Sequence, residues 1–351
     1  MNSLIPDTAA VVHPPRWWRR PVLLVPMFAV YLALLVYLGF RLFLYLRYDV
    51  SPVARTSSLD GYQLIYPEVY KSGVLEIPQD GGDAALDVVL IGGSTLEQTA
   101  GELTERLRQS WGPDVRVYNL AKAAHTSRDT LFKFRKLPER GIDLVLLYDG
   151  FNDIRMNCVP AADFKNDYTH CNWYVGMERR LQKRGTDFQE LVTRDLKAIG
   201  TLIDLGQPTD EWLDEGATVK TAEPFRENIA EILRACRDRK IPVVLMTFPW
   251  YLPANYSKER MADGQLDYGT GGYGMHAESW GRPENIRTTM AAHNDVIREL
   301  VADPEFTSTV QFVDQVELLS ADGTHFSDPC HFTPKGIERF VENFVKNVER
   351  P

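Results

Sequence analysis

Short, mostly apolar runs alternate with helix-like segments from Leu86 to the end of the chain, and this alternation limits the fold more than any other feature. Each run has the length and composition of a strand buried on both faces. Strands separated by helices predict a three-layer α/β/α architecture around a mostly parallel sheet. The predicted strands cover residues 87–91, 115–118, 143–148, 241–246 and 310–314.

The segments between these runs have apolar residues at helical spacing. They predict helices at residues 95–108, 127–135, 224–239, 288–301 and 334–348, with Thr333 as the N-cap of the last and Pro334 in its first turn.

Two stretches interrupt the alternation. Residues 155–220 predict helices without a clear strand, and residues 250–285 are rich in Gly, Tyr and Trp. A loop as long as 250–285 is often functional, so we interpret it as a lid or substrate wall, with a plain surface insertion as the alternative.

An uncharged apolar run near the N-terminus is long enough to cross a bilayer. Residues 21–40 contain no charged side chain, and the apolar character continues to Leu46. We therefore expect a cytoplasmic tail at 1–20, a single transmembrane anchor at 21–46, a stem at 47–85 and one large α/β domain at 86–351. Three arginines at positions 16, 19 and 20 favour an N-terminus inside, which places the large domain in the periplasm or outside the cell.

Charge and cysteine content exclude several classes of function. The net charge of −9 argues against nucleic-acid binding through a general basic surface. No CxxC pair occurs, so a zinc ribbon or thioredoxin-like site is not expected. An exported domain permits disulfides, and Cys158 with Cys171 is the best local pair among the four cysteines. Four reduced thiols, including Cys236 and Cys330, remain the alternative.

Polar residues that suit acyl transfer follow the predicted strands. Ser94 comes after two glycines at a strand-to-helix turn, where a nucleophile can approach a substrate carbonyl. His331 would take the serine proton and Asp328 would hold the imidazole in the productive tautomer. Asp322 and His325 have the same spacing, but His331 directly precedes the last helix and is the preferred base.

A tetrahedral oxyanion needs preorganised donors. The candidates are the backbone N–H of Ser94, the backbone N–H near Ala124 and the side-chain amide of Asn152. Ser94, Ala124 and Asn152 all fall just past strand ends, where ligand sites of parallel sheets lie. This shared position predicts one site for all of them.

These segments resemble the conserved blocks of the SGNH (GDSL-like) hydrolase superfamily, in its membrane-anchored bacterial branch. The resemblance extends over residues 86–345 and is strongest at Gly150-x-Asn152-Asp153 and at Asp328-x-x-His331-Phe332-Thr333-Pro334-x-Gly336. It implies Ser94 as nucleophile, Asn152 as oxyanion donor, His331 as base and Asp328 as its orienting partner. It also implies a flavodoxin-like fold and ester cleavage without a metal or cofactor.

The chain departs from this family pattern at two positions. Gly93 stands where an aspartate usually precedes the serine, and Ala124 stands where the second block has a glycine. A backbone N–H survives the second change, but a positive φ would strain an alanine.

Three functions remain open on the sequence. The leading hypothesis is a membrane-tethered serine esterase that acts on esters, with O-acetylated glycans or lipids among the expected substrates. The second is an O-acyltransferase that uses the same residues on an envelope glycan. The third is a non-catalytic envelope module that binds a glycan or a protein partner, and it predicts that Ser94 and His331 lie out of hydrogen-bond reach.

Overall fold

The structure is a computed structural model that describes residues 21–48, 60–78, 85–183 and 211–351. The predicted tail at 1–20, part of the predicted stem and part of the first insertion lie outside these ranges. The N-terminal residues and the remainder of the chain form two compact units, Met1–Ala54 and Arg55–Pro351. Each unit is described by itself.

The second unit contains the strands β1 Leu86–Gly92, β2 Val115–Asn119, β3 Leu144–Tyr148, β4 Val243–Met246 and β5 Val310–Val313. They form one parallel sheet in the order β2-β1-β3-β4-β5. This order is that of flavodoxin-like folds, so the predicted fold class is confirmed. The fourth strand begins two residues later than predicted because Pro242 has no N–H to donate to a neighbouring strand.

Helices connect the strands, and all five predicted helices are present. The helix predicted at 288–301 begins earlier, at Pro283, where the fixed φ of proline suits a first turn. The described helices are α1 Pro21–Tyr48, α2 Gly61–Ile65, α3 Pro67–Lys71, α4 Ser94–Trp111, α5 Ser127–Arg135, α6 Met177–Gln182, α7 Ala222–Arg239, α8 Lys258–Ala262, α9 Pro283–Ala302, α10 Gln315–Leu318 and α11 Pro334–Asn347, with short 3-10 turns at Val74–Glu76, Asn152–Asn157, Asp214–Ala217 and Ala277–Ser279.

Alternate residues of the strands face two separate hydrophobic clusters, as expected for a sheet buried on both faces. On one face, Val89 and Leu147 pack with side chains of α5 and α7. On the other, Val88 and Leu146 pack with side chains of α4 and α11. The result is the predicted α/β/α arrangement, with the carboxyl ends of all five strands at one edge.

Residues 60–78 belong to the folded domain rather than to a stem. Tyr66, Val69 and Val74 are fully buried and join the same cluster as α5 and α7. Asp60 caps α2 by accepting a hydrogen bond from the backbone N–H of Gln63 at 2.7 Å. The stem prediction is therefore wrong for these residues, because the prediction took a mixed sequence with many turn residues to be unpacked.

Helix α1 makes up the described part of the N-terminal unit. Its segment Leu24–Leu46 has 23 residues and a mean hydropathy of 2.1, which is long and apolar enough to cross a bilayer. Its large apolar side chains are mostly exposed, unlike those of a core helix in a soluble domain.

None of the four cysteines is bonded to another. The pairing of Cys158 with Cys171 is therefore not observed. Cys158 instead lies buried with its thiol directed at the carbonyl of Trp280, and Cys236 is buried within the core.

Candidate active site

The first site residue, Ser94, opens helix α4 directly after β1. Gly92 ends that strand opposite Tyr148, and a Cβ on Gly92 would lie 2.1 Å from the Tyr148 carbonyl oxygen. Only glycine fits this close approach. The turn through Gly93 then places Ser94 at the N-terminus of an 18-residue helix, between the carboxyl ends of β1 and β3. This position is the switch point of the sheet, where ligands of such folds bind.

His331 lies next to the serine. Its Nε2 is 2.7 Å from the Ser94 hydroxyl oxygen, and its Nδ1 is 2.7 Å from Oδ2 of Asp328. Because a carboxylate accepts hydrogen bonds, Nδ1 carries the proton and Nε2 is left to accept from the serine. The three residues are nearly buried, with 7%, 2% and 0% of Ser94, His331 and Asp328 exposed.

A tight turn brings Asp328 and His331 to the same side. Oδ1 of Asp328 accepts hydrogen bonds from the backbone N–H groups of Cys330 and His331, at 2.9 and 2.8 Å. The backbone N–H of Ser327 donates to the His331 carbonyl at 2.9 Å and closes the turn. Thr333 then caps α11, as predicted, through a 3.1 Å bond from the Gly336 N–H. The capped helix therefore fixes the loop that carries the histidine.

Hydrogen bonds keep Asp328 ionised. Burial alone would raise the pKa of its carboxyl group, but the hydrogen bond and electrostatic interaction with His331 and the N–H groups of Met275 and Cys330 outweigh burial and lower the pKa. The neighbouring Cys330 differs, since burial and then the charge of Asp328 raise the pKa of its thiol. Cys330 is therefore a protonated thiol and a poor nucleophile at neutral pH.

The alternative pair lies elsewhere on the same loop. Nδ1 of His325 is 2.9 Å from Oδ1 of Asp322, and the Asp322 side chain is 44% exposed. The described hydrogen bonds of His325 and Asp322 include none to Ser94. Of the two Asp/His pairs, the structure thus brings the preferred one to the serine.

Asn152 follows β3 and faces the same turn. Its Nδ2 donates to the His125 carbonyl at 2.9 Å, and a Cβ on Gly93 would lie 3.1 Å from that nitrogen. The amide is thus held against the glycine that precedes Ser94. A side chain at position 93 would press on Asn152. This close approach favours glycine at the position where the family pattern has an aspartate.

Ala124 has a φ of +68°, in the left-handed region that glycine prefers. The expected strain of alanine at this position is therefore present. Two contacts hold the loop: the Arg155 guanidinium donates to the Ala124 carbonyl, and Glu97 accepts from the Ala123 N–H at 2.7 Å. Glu97 lies on α4 three residues after Ser94, so its hydrogen bond ties α4 to this loop.

Replacing Ala124 with glycine should stabilise the protein. Relief of the left-handed conformation is worth about 1–2 kcal/mol, and the added freedom of the unfolded chain offsets about 0.4–1 kcal/mol of it. We expect the free energy of unfolding to rise by about 0.5–1 kcal/mol in urea denaturation. Ala123→Gly is the matched control because Ala123 has no positive φ, and it should destabilise. Equal destabilisation by both variants would contradict this account.

The segment at 250–285 packs over the site and contacts three of its residues. The Tyr273 ring stacks on the His331 imidazole, with centroids 4.0 Å apart and an interplanar angle of 13°. The Met275 N–H donates to Oδ2 of Asp328 at 3.0 Å. The indole Nε1 of Trp280 donates to Oδ1 of Asn152 at 3.0 Å.

Sequence reasoning did not single out these three contacts or Glu97. The abundance of aromatic residues in 250–285 was the available signal, and it pointed to a segment rather than to residues. The hydrogen bond from Met275 uses only the backbone, so no side-chain type could have revealed it.

A buried acid behind the site anchors the loop after β3. Asp153 accepts hydrogen bonds from the backbone N–H and the hydroxyl of Ser127 at 3.0 and 2.5 Å, and from the Tyr168 hydroxyl at 2.9 Å. Burial raises the pKa of Asp153 to about 6 in spite of these bonds. Since Ser127 begins α5, Asp153 fixes the loop after β2 to the loop that carries Asn152.

One group of potential metal ligands occurs among the described residues. Ligand atoms of Asp328, Cys330 and His331 lie within 4.8 Å of one another. The carboxylate is already hydrogen-bonded to the imidazole, and the imidazole is hydrogen-bonded to Ser94. The group is therefore the same cluster that can support proton transfer from the serine.

No protein-family model and no curated protein matches the chain. Similar solved structures include a GDSL-like lipase from Bacteroides thetaiotaomicron (13% identity, 80% of this chain and 95% of that chain covered, TM-score 0.43). A lipase/acylhydrolase from Enterococcus faecalis has 17% identity, coverage of 74% and 94%, and a TM-score of 0.40. A catalytic mutant of an acetylxylan esterase from Geobacillus stearothermophilus has 11% identity, coverage of 77% and 97%, and a TM-score of 0.41. At these identities and TM-scores, neither an activity nor a substrate transfers to the chain.

Proposed function

We propose that the chain is a membrane-tethered serine esterase of the SGNH type. The observation that carries the proposal is the continuous hydrogen-bond array from Ser94 through His331 to Asp328, with 2.7 Å at each step. A nucleophile, a base and an orienting carboxylate in this order are what acyl transfer requires. A binding module has no need of such an array and was expected to lack the first contact.

The geometry supports a two-step reaction. Ser94 attacks the ester carbonyl carbon while its proton passes to Nε2 of His331. The tetrahedral intermediate then collapses, the carbon–oxygen bond to the alcohol breaks, and the alcohol leaves with that proton. Water attacks the acyl-serine by the same route in reverse, and the carboxylate product is released. Asp328 stays ionised throughout and stabilises the imidazolium.

Three donors are assigned to the oxyanion. They are the backbone N–H of Ser94, the backbone N–H of Ala124 and the second N–H of the Asn152 amide. The first lies at the N-terminus of α4, where the helix dipole also favours negative charge. Loss of one such donor typically costs about 10²–10³ in rate.

The space beside the serine favours a short acyl group. A cavity lined by Ser94, Asn152, Phe151, Phe248 and Cys330 has room for about one water molecule. An acetyl methyl group is of similar size, whereas a long acyl chain would require the aromatic walls to move. Together with the extracytoplasmic position expected from the N-terminal arginines, this favours O-acetyl esters of glycans or lipids as substrates. The exposed apolar residues of Leu24–Leu46 suit a single-pass anchor.

Hydrolysis of p-nitrophenyl acetate by the full-length protein in detergent tests the proposal. We expect saturable release of p-nitrophenol that a fluorophosphonate abolishes and that EDTA leaves unchanged. Activity that is lost with EDTA but kept with the fluorophosphonate would contradict the serine mechanism. It would indicate a metal ion bound by Asp328, Cys330 and His331.

Acyl transfer to a glycan is a second candidate, and the burial of the site favours it. Only 7% of Ser94 and 2% of His331 are exposed, and Tyr273 covers the imidazole. Exclusion of water would protect an acyl-serine until an acceptor arrives. Acceptor-dependent formation of an acetylated oligosaccharide, at the expense of free acetate, would identify a transferase.

A further inference from the structure

We infer that Trp280 is a positioning residue for the oxyanion donor Asn152. The inference rests on the proposed function and assigns a role to a residue outside the predicted catalytic set. Trp280 reaches the site from the 250–285 segment and bonds to Asn152 through its indole Nε1 at 3.0 Å. Its ring also lies beside the His331 imidazole, with centroids 6.3 Å apart and an interplanar angle of 49°. It offers no donor or acceptor to the reaction there, so the role inferred for it is through the amide that it holds.

The hydrogen bonds of Asn152 leave one orientation of its amide group. The indole Nε1–H of Trp280 is a donor only, so its partner must be the amide oxygen. The His125 carbonyl is an acceptor only, so its partner at 2.9 Å must be the amide nitrogen. If the amide were flipped, its nitrogen would face the indole N–H and its oxygen would face the His125 carbonyl, and neither pair can form a hydrogen bond. The remaining N–H of the amide is therefore the one available to an oxyanion.

Packing holds the indole itself in place. Only 4% of Trp280 is exposed. Its ring meets Phe151 edge to face, with centroids 4.9 Å apart and an interplanar angle of 82°. The backbone N–H of Trp280 donates to the Ala277 carbonyl at 2.9 Å, at the end of a 3-10 turn. Because Phe151 directly precedes Asn152, the indole holds two successive residues of the loop after β3.

Removal of the indole N–H leaves the Asn152 side chain with one of its two described hydrogen bonds. The His125 carbonyl still binds the nitrogen, but the amide oxygen loses its partner. The amide can then rotate away from the direction that suits the tetrahedral intermediate. A small misplacement of a catalytic group can cost up to about 10²-fold in rate.

Trp280→Phe tests the inference, because it keeps an aromatic ring and removes the N–H. The readout is the rate at which a fluorophosphonate phosphonylates Ser94 in the full-length protein, followed by intact mass. In this reaction the serine oxygen bonds to phosphorus, fluoride leaves, and the serine proton passes to His331. The variants are Trp280→Phe, Asn152→Ala and their combination. Trp111→Phe, at the end of α4 against Phe344, is the matched control.

We expect Trp280→Phe to slow phosphonylation by about 10- to 100-fold. On the Asn152→Ala background the same change should slow phosphonylation by less than about a further 2-fold, because Trp280 acts through the missing amide. The Trp111→Phe control should label at the wild-type rate. Equal losses on both backgrounds, or no loss in Trp280→Phe, would overturn the inference and leave the serine mechanism intact. Failure of the wild-type protein to label would overturn the proposed function and the inference with it.

Discussion

Replacing Ser94 with alanine should lower kcat for ester hydrolysis by about 10⁴- to 10⁶-fold, and adding His331→Ala should lower it no further. In the proposed mechanism the two side chains act as one unit, since the proton passes along the 2.7 Å hydrogen bond between them. With either one removed, no activated nucleophile remains for the other to assist. Residual activity would come from binding and from the oxyanion donors.

Two matched controls make this prediction specific. Ser110 is an exposed serine on the same helix as Ser94, so Ser110→Ala should leave kcat unchanged. His325 has an aspartate partner at the same spacing as His331, so His325→Ala tests whether any Asp/His pair would serve. Steady-state kinetics on p-nitrophenyl acetate measures these variants, the double variant and His331→Ala alone. A loss in His325→Ala as large as that in His331→Ala would contradict the assignment of the base.

Replacing Asp328 with asparagine should lower kcat by about 10⁴-fold with little change in KM. The asparagine keeps the size of the side chain but can present an N–H to Nδ1 of His331. The imidazole would then carry its proton on Nε2, where it cannot accept the proton of Ser94. The loss of the negative charge also removes the stabilisation of the imidazolium. An Asp328→Asn enzyme with more than a tenth of wild-type kcat would contradict this role.

The same variant has a pH signature in stability. The pKa of Asp328 is lowered in the folded protein, so its ionised form stabilises the fold above the unfolded pKa, and that contribution is lost as pH falls through the folded pKa. The variant lacks this contribution at every pH. We therefore expect the stability advantage of the wild type in urea denaturation to shrink below about pH 4. An advantage that is constant down to pH 2 would contradict the lowered pKa.

The fold could be predicted largely from local patterns. Buried parallel strands are continuous apolar runs, so the segments around Leu90, Leu146 and Val244 stand out without any knowledge of their neighbours. The strand order could be reached only through the family resemblance, because which strand pairs with which is a long-range property. The stem prediction was wrong because the burial of Tyr66 and Val69 depends on helices far away in sequence.

The site residues that could be predicted from the sequence are those whose side chains have a distinctive chemical role in acyl transfer. Ser94, His331 and Asp328 were singled out because nucleophile, base and carboxylate are distinctive, and the structure brings them together. Trp280 and Tyr273 were not singled out, since an aromatic residue in a long loop serves packing as readily as positioning. The strained backbone of Ala124 was expected only because the family pattern has a glycine at this position. Its φ of +68° agrees with that expectation.

The most direct measurement is the site at which a fluorophosphonate labels the full-length protein, identified by peptide mass spectrometry. We expect one phosphonyl group per chain, on the peptide that contains Ser94, and none in the Ser94→Ala variant. A label on any other residue, or no label on a folded wild-type protein, would contradict the claim that Ser94 is an activated nucleophile.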